Sequence, residues 1–115
     1  MTAIDQRIRP VLEELERRLD GLYRQRLVRM MLYGSQARGD AEPGSDIDVL
    51  VVLKGPVDAN QEIERTGEIV SELSLAHSVV IACLFMDEEA YLHRQGPLLR
   101  NIRREGIPLY ESGTA

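Results

Sequence analysis

An α/β (α+β) fold, with a small mixed sheet flanked by helices, is predicted by the way apolar segments alternate along the 115-residue chain. Three short, nearly continuous apolar runs are typical of buried strands, and they lie at 27–33, 47–53 and 79–86. Elsewhere, over 3–20 and 58–77, apolar residues recur at helical spacing with charged residues between them. Segments of the two kinds in alternation favour one sheet with helices packed on it.

The first helical stripe contains two residues that bear on its ends. Pro10 lies inside the stripe, where it either kinks the helix or marks its first turn. Gly21 is expected to end the helix. The strand at 27–33 follows, and a short helix is expected from Ser35 up to Gly39.

The long second helix has clear signals at both ends. Either Asp58 or Asn60 is expected to cap its first turn, and it should end near His77. The strand that follows, at 79–86, is unusually apolar. This composition predicts a central position in the sheet, where both faces are covered.

The last third of the chain predicts three short elements. Asp87, with two acidic residues after it, is a good cap for a short helix through Leu92. A final helix is predicted over 97–105, followed by a short strand at 107–110. From Glu111 onward we expect a frayed tail.

Composition bounds the class of protein. The chain is 43% hydrophobic and 29% charged, which is typical of one globular domain, with an N-terminal helix in 1–22, a core in 27–110 and a tail in 111–115. A net charge of −5 argues against a broad basic face for nucleic acid. Cys83 is the sole cysteine, so no disulfide framework exists and a cytoplasmic location is expected. No apolar run reaches the roughly 18–20 residues that span a membrane.

The segment 33–53 carries the strongest chemical signal. A Gly-Ser pair, Gly34 and Ser35, is followed after ten residues by Asp46 and Asp48, which flank one residue at the start of an apolar run. In a strand, side chains two positions apart point to the same face, about 6–7 Å from each other. Such carboxylates are close enough to share Mg²⁺, which also binds phosphates. Because a Gly-Ser turn can hold phosphates beside them, the segment predicts nucleotidyl transfer.

The sequence GSQARGDAEPGSDIDVLVV, with its pattern G-S-x10-D-x-D, resembles the signature of the DNA polymerase β-like nucleotidyltransferase superfamily. More narrowly, the chain resembles the minimal nucleotidyltransferase (MNT) family, the small partner in HEPN–MNT toxin–antitoxin pairs. The resemblance covers about 27–110. It implies the polymerase β-like nucleotidyltransferase fold, with Mg²⁺ as cofactor and ATP as substrate.

The resemblance assigns roles to five residues. Asp46 and Asp48 match the catalytic, metal-binding pair, and Gly34 and Ser35 match the phosphate-binding turn. Ser35 could equally cap the short helix. Arg38, one helical turn beyond Ser35, could reach a phosphate. The alternative for Arg38 is a surface ion pair with one of two nearby acids, Asp40 and Glu42.

The chain departs from the family pattern at a third acid. In the superfamily this acid usually comes from the strand beside the D-x-D strand, and matching LSLAHSVVIACLF to the family form places it at Ser78. A serine does not ligate a metal as a carboxylate does. Asp87 is about 30 Å away, at the other end of that strand, and His77 should point to the opposite face. Because the third acid often acts as the base for the attacking hydroxyl, its loss should slow or stop chemistry while sparing binding.

The resemblance therefore implies a Mg²⁺-dependent enzyme that transfers AMP from ATP to a hydroxyl, with a tyrosine of a HEPN-domain toxin as acceptor. In that role the chain would be the toxin's antitoxin. The alternative is a catalytically weak or inactive antitoxin that neutralises a HEPN partner by binding alone, which the serine at position 78 favours. For so small a chain, we expect the missing acceptor surface to come from a partner or from self-association.

Overall fold

A computed structural model describes residues 4–112 of the chain. Strands and α-helices alternate as far as the third strand, after which two helices precede the last strand, and one 3₁₀ turn, Arg24–Arg26, follows the first helix. The elements are α1 (Arg9–Tyr23), β1 (Leu27–Tyr33), α2 (Ser35–Arg38), β2 (Ile47–Leu53), α3 (Ala59–His77), β3 (Ile81–Asp87), α4 (Glu88–His93), α5 (Pro97–Glu105) and β4 (Ile107–Glu111). None of the helices in this part of the chain has the length and apolar composition that crossing a membrane requires.

The strands form one mixed sheet in the order β3-β2-β1-β4. Strand β1 pairs antiparallel with both β2 and β4, whereas β2 and β3 are parallel and are joined through α3. The predicted α/β fold with a small mixed sheet is confirmed. The strands β1 and β2 have the predicted bounds, and α3 and α5 end where the sequence indicated.

Side chains cap two of the helices as predicted. The Asp58 carboxylate accepts a hydrogen bond from the N–H of Asn60 at 3.0 Å, so Asp58 and not Asn60 is the cap of α3. The Asp87 carboxylate accepts one from the N–H of Ala90 at 2.7 Å and begins α4. Pro10 lies in the first turn of α1, where proline fits without breaking an internal hydrogen bond.

Three predictions about the elements are wrong. Helix α1 runs past Gly21 to Tyr23, whose side chain is buried and bonded to Glu62 of α3. Strand β3 lies at an edge of the sheet and not at its centre. Its apolar composition reflects two covered faces, since Phe85 and Met86 enter different apolar clusters. Glu111 is not frayed but pairs with Arg29 in the sheet. Ser112 is also held, because its N–H donates to the Val28 carbonyl at 2.9 Å. The last predicted tail residues, 113–115, and residue 3, the first of the predicted helical stripe, lie outside the described residues.

Helices cover the two faces of the sheet unequally. One face packs against α1 and α3 in the larger core, whose fully buried side chains include Leu15, Leu19, Leu32, Val49 and Val51. The other face is covered by α4 and α5 through a smaller cluster, Met31, Leu50, Val52, Met86, Leu99 and Ile102. On this second face Tyr33 and Leu84 are only partly buried, so the sheet is partly open there.

A buried carboxylate joins α1 to α3. Glu62 is 1% exposed, and its carboxylate accepts a hydrogen bond from the Tyr23 hydroxyl at 2.7 Å. Arg26 and Arg65 complete its partners at 3.3 and 3.1 Å. Burial and the bond to Glu62 raise the pKa of Tyr23, so the phenol remains a donor across the physiological range. A buried charge is tolerated when its oxygens are paired in this way.

Tyr23→Phe should lower the free energy of unfolding by about 1.5–3 kcal/mol, because it removes a hydrogen bond to a buried charge. Urea unfolding followed by circular dichroism measures the change. Tyr110→Phe is the matched control, since that side chain is only partly buried, and it should change stability by less than about 0.5 kcal/mol. Equal effects in the two variants would contradict a structural role for the Tyr23–Glu62 bond.

Candidate active site

The two predicted acids meet at the start of β2, on the partly open face. Asp48 is the second residue of the strand and is partly buried, whereas Asp46, just before the strand, is exposed. Ile47, between them, is fully buried in the larger core on the opposite face. Asp46 lies outside the strand, but burial and then repulsion from Asp46 raise the pKa of Asp48, so the two acids are near each other, as predicted.

The register of β1 with β2 brings the Gly-Ser turn against the second acid. Tyr33, the last residue of β1, is the partner of Asp48. Gly34 follows with φ +74°, a backbone conformation that residues other than glycine rarely adopt. A Cβ at Gly34 would lie 2.5 Å from Asp48 Oδ2. The carboxylate therefore packs directly on the glycine backbone.

Gly34 also starts the helix that follows. Its carbonyl accepts hydrogen bonds from the N–H groups of Ala37 and Arg38, both at 3.1 Å. The N–H groups of Ser35 and Gln36 precede the first bonded turn and are therefore free of helical partners. Gly34 and not Ser35 occupies the N-cap position, so the capping alternative for Ser35 is wrong. Ser35 is the first helical residue, directly after the glycine on which Asp48 packs.

The loop between α2 and β2 is held by side chains that sequence reasoning did not single out as site residues. Gln36, only 9% exposed, donates from Nε2 to the carbonyl of Ser45 at 3.4 Å. Ser45 Oγ accepts from the N–H of Glu42 at 2.9 Å, which shapes the turn. These bonds fix the backbone directly before Asp46. In the sequence, Gln36 is one polar residue in a short helix and Ser45 is one serine in a turn. Both features are common in proteins, so they did not indicate these hydrogen bonds.

Arg38 takes the predicted alternative, a surface ion pair. Its guanidinium lies 3.3 Å from Asp40 and 3.6 Å from Glu105 at the end of α5. Burial, followed by repulsion from Asp46, raises the pKa of Asp48 above its usual value, and the positive charge of Arg38 offsets only part of this rise. The pair therefore keeps an unfavourable concentration of negative charge that a bound cation would relieve.

The predicted position of the third acid is wrong. Ser78 is not on a strand: it is the C-cap of α3, with φ 53° and ψ 47°, three residues before β3. The residue of β3 that pairs with Asp48 is Ala82. The sequence match expected Ser78 on this strand, but β3 begins only at Ile81, so the residue opposite Asp48 lies four positions further along. Asp87 pairs with Leu53 at the far end of the strands, as the predicted distance implied.

The arrangement fits a divalent cation bound together with a nucleotide. Asp46 and Asp48 present hard oxygen ligands, and the bare Cα of Gly34 lets the Asp48 carboxylate lie directly against the turn, where a Cβ would clash with it. Across residues 4–112, no cluster of three or more His, Cys, Asp or Glu side chains is placed to hold a metal ion. Two carboxylates are enough for Mg²⁺ only when phosphates and water complete its shell.

Comparison with known proteins agrees with this geometry. A sequence model of the nucleotidyltransferase domain family matches residues 9–110. The chain belongs to this family, as the Gly-Ser and D-x-D spacing predicted. A relative from Methanocaldococcus jannaschii named "Putative protein adenylyltransferase" is 35% identical over 100 residues, which cover 86% of this chain and 94% of the relative.

Solved structures share the fold. One called "Structure of putative minimal nucleotidyltransferase" is 28% identical to this chain. The match covers 85% of this chain and 95% of the solved one, with a TM-score of 0.52. A chain in a crystal structure of a toxin–antitoxin with AMP-PNP is 20% identical to this chain. The match covers 87% of this chain and 73% of the solved one, with a TM-score of 0.60. The predicted resemblance to minimal nucleotidyltransferases is confirmed, and the chain is a nucleotidyltransferase.

Gly34→Ala should displace the Asp48 carboxylate and abolish nucleotide transfer while leaving the fold intact. The new methyl group would meet Oδ2 at 2.5 Å, and the positive φ adds strain of about 1–3 kcal/mol. Activity with Mg²⁺-ATP and thermal unfolding measure the two effects.

Gly44→Ala is the matched control. Gly44 has φ +86°, but a Cβ there meets nothing within 4 Å. The control should lose comparable stability and keep its activity. Full activity in Gly34→Ala would show that the close contact with Asp48 is dispensable.

Proposed function

We propose that this nucleotidyltransferase is a Mg²⁺-dependent adenylyltransferase that moves AMP from ATP to a protein hydroxyl. The observation that carries the proposal is the packing of the Asp48 carboxylate on Gly34, which unites the acid pair with the phosphate turn. Asp46 and Asp48 would hold the metal. Gly34 and Ser35 would bind phosphate oxygens through backbone N–H groups and the Ser35 hydroxyl. Arg38 would add positive charge at the rim.

The reaction is a displacement at the α-phosphorus. The acceptor oxygen forms a bond to that phosphorus as the bond to the β-phosphate bridging oxygen breaks. Pyrophosphate leaves with the electron pair, and the acceptor's proton passes to solvent or a base. When bound, Mg²⁺ supplies charge stabilisation to the phosphate oxygens. The chain's own contribution is to fix the carboxylates and the turn so that the phosphates are held in one orientation.

The acceptor in this proposal is a tyrosine of a HEPN-domain toxin, and the modification silences the toxin. The MNT resemblance supports this partner, as does the similar fold of a chain in a toxin–antitoxin crystal structure. The name of the M. jannaschii relative supports AMP as the transferred group. The lone free thiol, Cys83, and the use of ATP fit a cytoplasmic site of action. The proposal also includes association with the toxin or with a second copy of the chain, because either would complete the acceptor surface.

A second candidate function is an antitoxin that masks its partner without chemistry. One observation favours it: the strand position beside Asp48 holds Ala82, which offers neither a ligand nor a base. In this function the nucleotide site would be dispensable. The two candidates therefore differ in what removal of the acid pair does to the partner.

Intact-mass spectrometry of a co-expressed HEPN partner, after incubation with Mg²⁺-ATP, tests the proposal. We expect the partner to gain the mass of AMP. The double variant Asp46→Asn/Asp48→Asn should reduce the rate about 10³-fold or more, since metal ligands supply several kcal/mol of transition-state stabilisation.

The matched control is Glu64→Gln/Glu68→Gln, which removes the same charge from the exposed face of α3. It should transfer AMP at the wild-type rate. A partner that stays unmodified yet is silenced equally by the wild type and the Asp46/Asp48 variant would refute transfer and establish masking.

A further inference from the structure

The pairing of β2 with β3 places Ala82 beside the candidate metal site. Ala82 is the register partner of Asp48 in a parallel pair, so the two side chains leave the same face of the sheet. Neighbouring strands lie about 4.8 Å apart, so a carboxylate at position 82 would be within reach of the same ion. Ala82 is partly exposed on the partly open face, which leaves room for a longer side chain.

The described site contains no side chain suited to accept the acceptor's proton. Asp46 and Asp48 are assigned to the metal. Tyr33, the other strand neighbour of Asp48, is a partly buried phenol, which is a hydrogen-bond donor and not a carboxylate or imidazole base. Arg38 is a cation held by Asp40 and Glu105. Cys83, the residue after Ala82, lies on the opposite face, against the larger core.

We infer that Ala82 occupies the place of a third carboxylate, and that its absence makes transfer depend on an acceptor hydroxyl that ionises without help from the enzyme. The inference rests on the proposed function and specifies its acceptor chemistry. A phenol has a pKa of about 10, so roughly one molecule in 10³ is ionised at pH 7. Water, with a pKa of 15.7, is ionised about 10⁵ to 10⁶ times less. The site therefore favours phenolic acceptors and disfavours hydrolysis of ATP by water.

Water provides a test that needs no partner. In that reaction the water oxygen bonds to the α-phosphorus, the α–β bond breaks, and AMP, pyrophosphate and a proton are released. Ala82→Asp should accelerate this hydrolysis at least tenfold over Ala82→Asn, because a positioned base contributes about 10²–10⁴ in favourable cases. Isosteric asparagine controls for size and polarity.

Binding of Mn²⁺ with α,β-methylene-ATP gives a readout that is independent of turnover. Calorimetry should show about tenfold tighter Mn²⁺ binding by Ala82→Asp than by Ala82→Asn, because a third hard ligand is added. Ser78→Asp is the positional control. It places a carboxylate where the sequence match located the third acid, but at the end of α3, so neither readout should change.

Unchanged Mn²⁺ affinity or unchanged hydrolysis in Ala82→Asp overturns the inference. Ala82→Glu extends the same test if aspartate destabilises the strand. Mn²⁺-nucleotide binding by Asp46→Asn/Asp48→Asn distinguishes failure of the inference about Ala82 from failure of the proposed function. If that variant loses Mn²⁺-nucleotide binding while Ala82→Asp gains nothing, only the inference fails. If it binds as the wild type does, both fail.

Discussion

The contact between the Asp48 carboxylate and the backbone of Gly34 is the constraint on which the site depends. It requires β1 and β2 to pair in the register that sets Tyr33 opposite Asp48. A shift of one residue would turn Asp48 into the larger core and its buried neighbours outward. The burial of Ile47, Val49 and Val51 on that core side therefore fixes the position of the acids. Core packing and site geometry are specified by the same strand.

Unequal covering of the sheet explains why the site lies where it does. Helices α1 and α3 close one face along the strands, and the Tyr23–Glu62 bond joins the two helices. On the other face, α4 and α5 bury Leu50 and Val52 but leave Tyr33 and Leu84 partly open. A nucleotide and an acceptor need open space beside the acids. Helix α5 contributes one ion pair at this edge, between Glu105 and Arg38 at 3.6 Å.

Local patterns predicted most of this structure, and long-range pairing accounts for the rest. The bounds of β1 and β2 follow from continuous apolar runs, and the caps Asp58 and Asp87 follow from side-chain chemistry. The edge position of β3 could not be predicted, since an apolar strand covered on both faces is similar in sequence at an edge or at the centre. The third position beside Asp48 was missed for a related reason: Ser78 and Ala82 are separated by a helix end that only the register of β3 locates. The Gly-Ser and D-x-D spacing, by contrast, led to the expectation that Gly34 and Ser35 lie beside Asp46 and Asp48, and the packing of Asp48 on Gly34 agrees with it.

A crystal structure with Mn²⁺ and α,β-methylene-ATP tests the central claim most directly, because anomalous scattering locates the metal. The account predicts Mn²⁺ bound by Asp46 and Asp48, with phosphate oxygens at the N–H groups that follow Gly34. Metal or triphosphate bound elsewhere, with Asp48 still packed on an empty glycine turn, would contradict it.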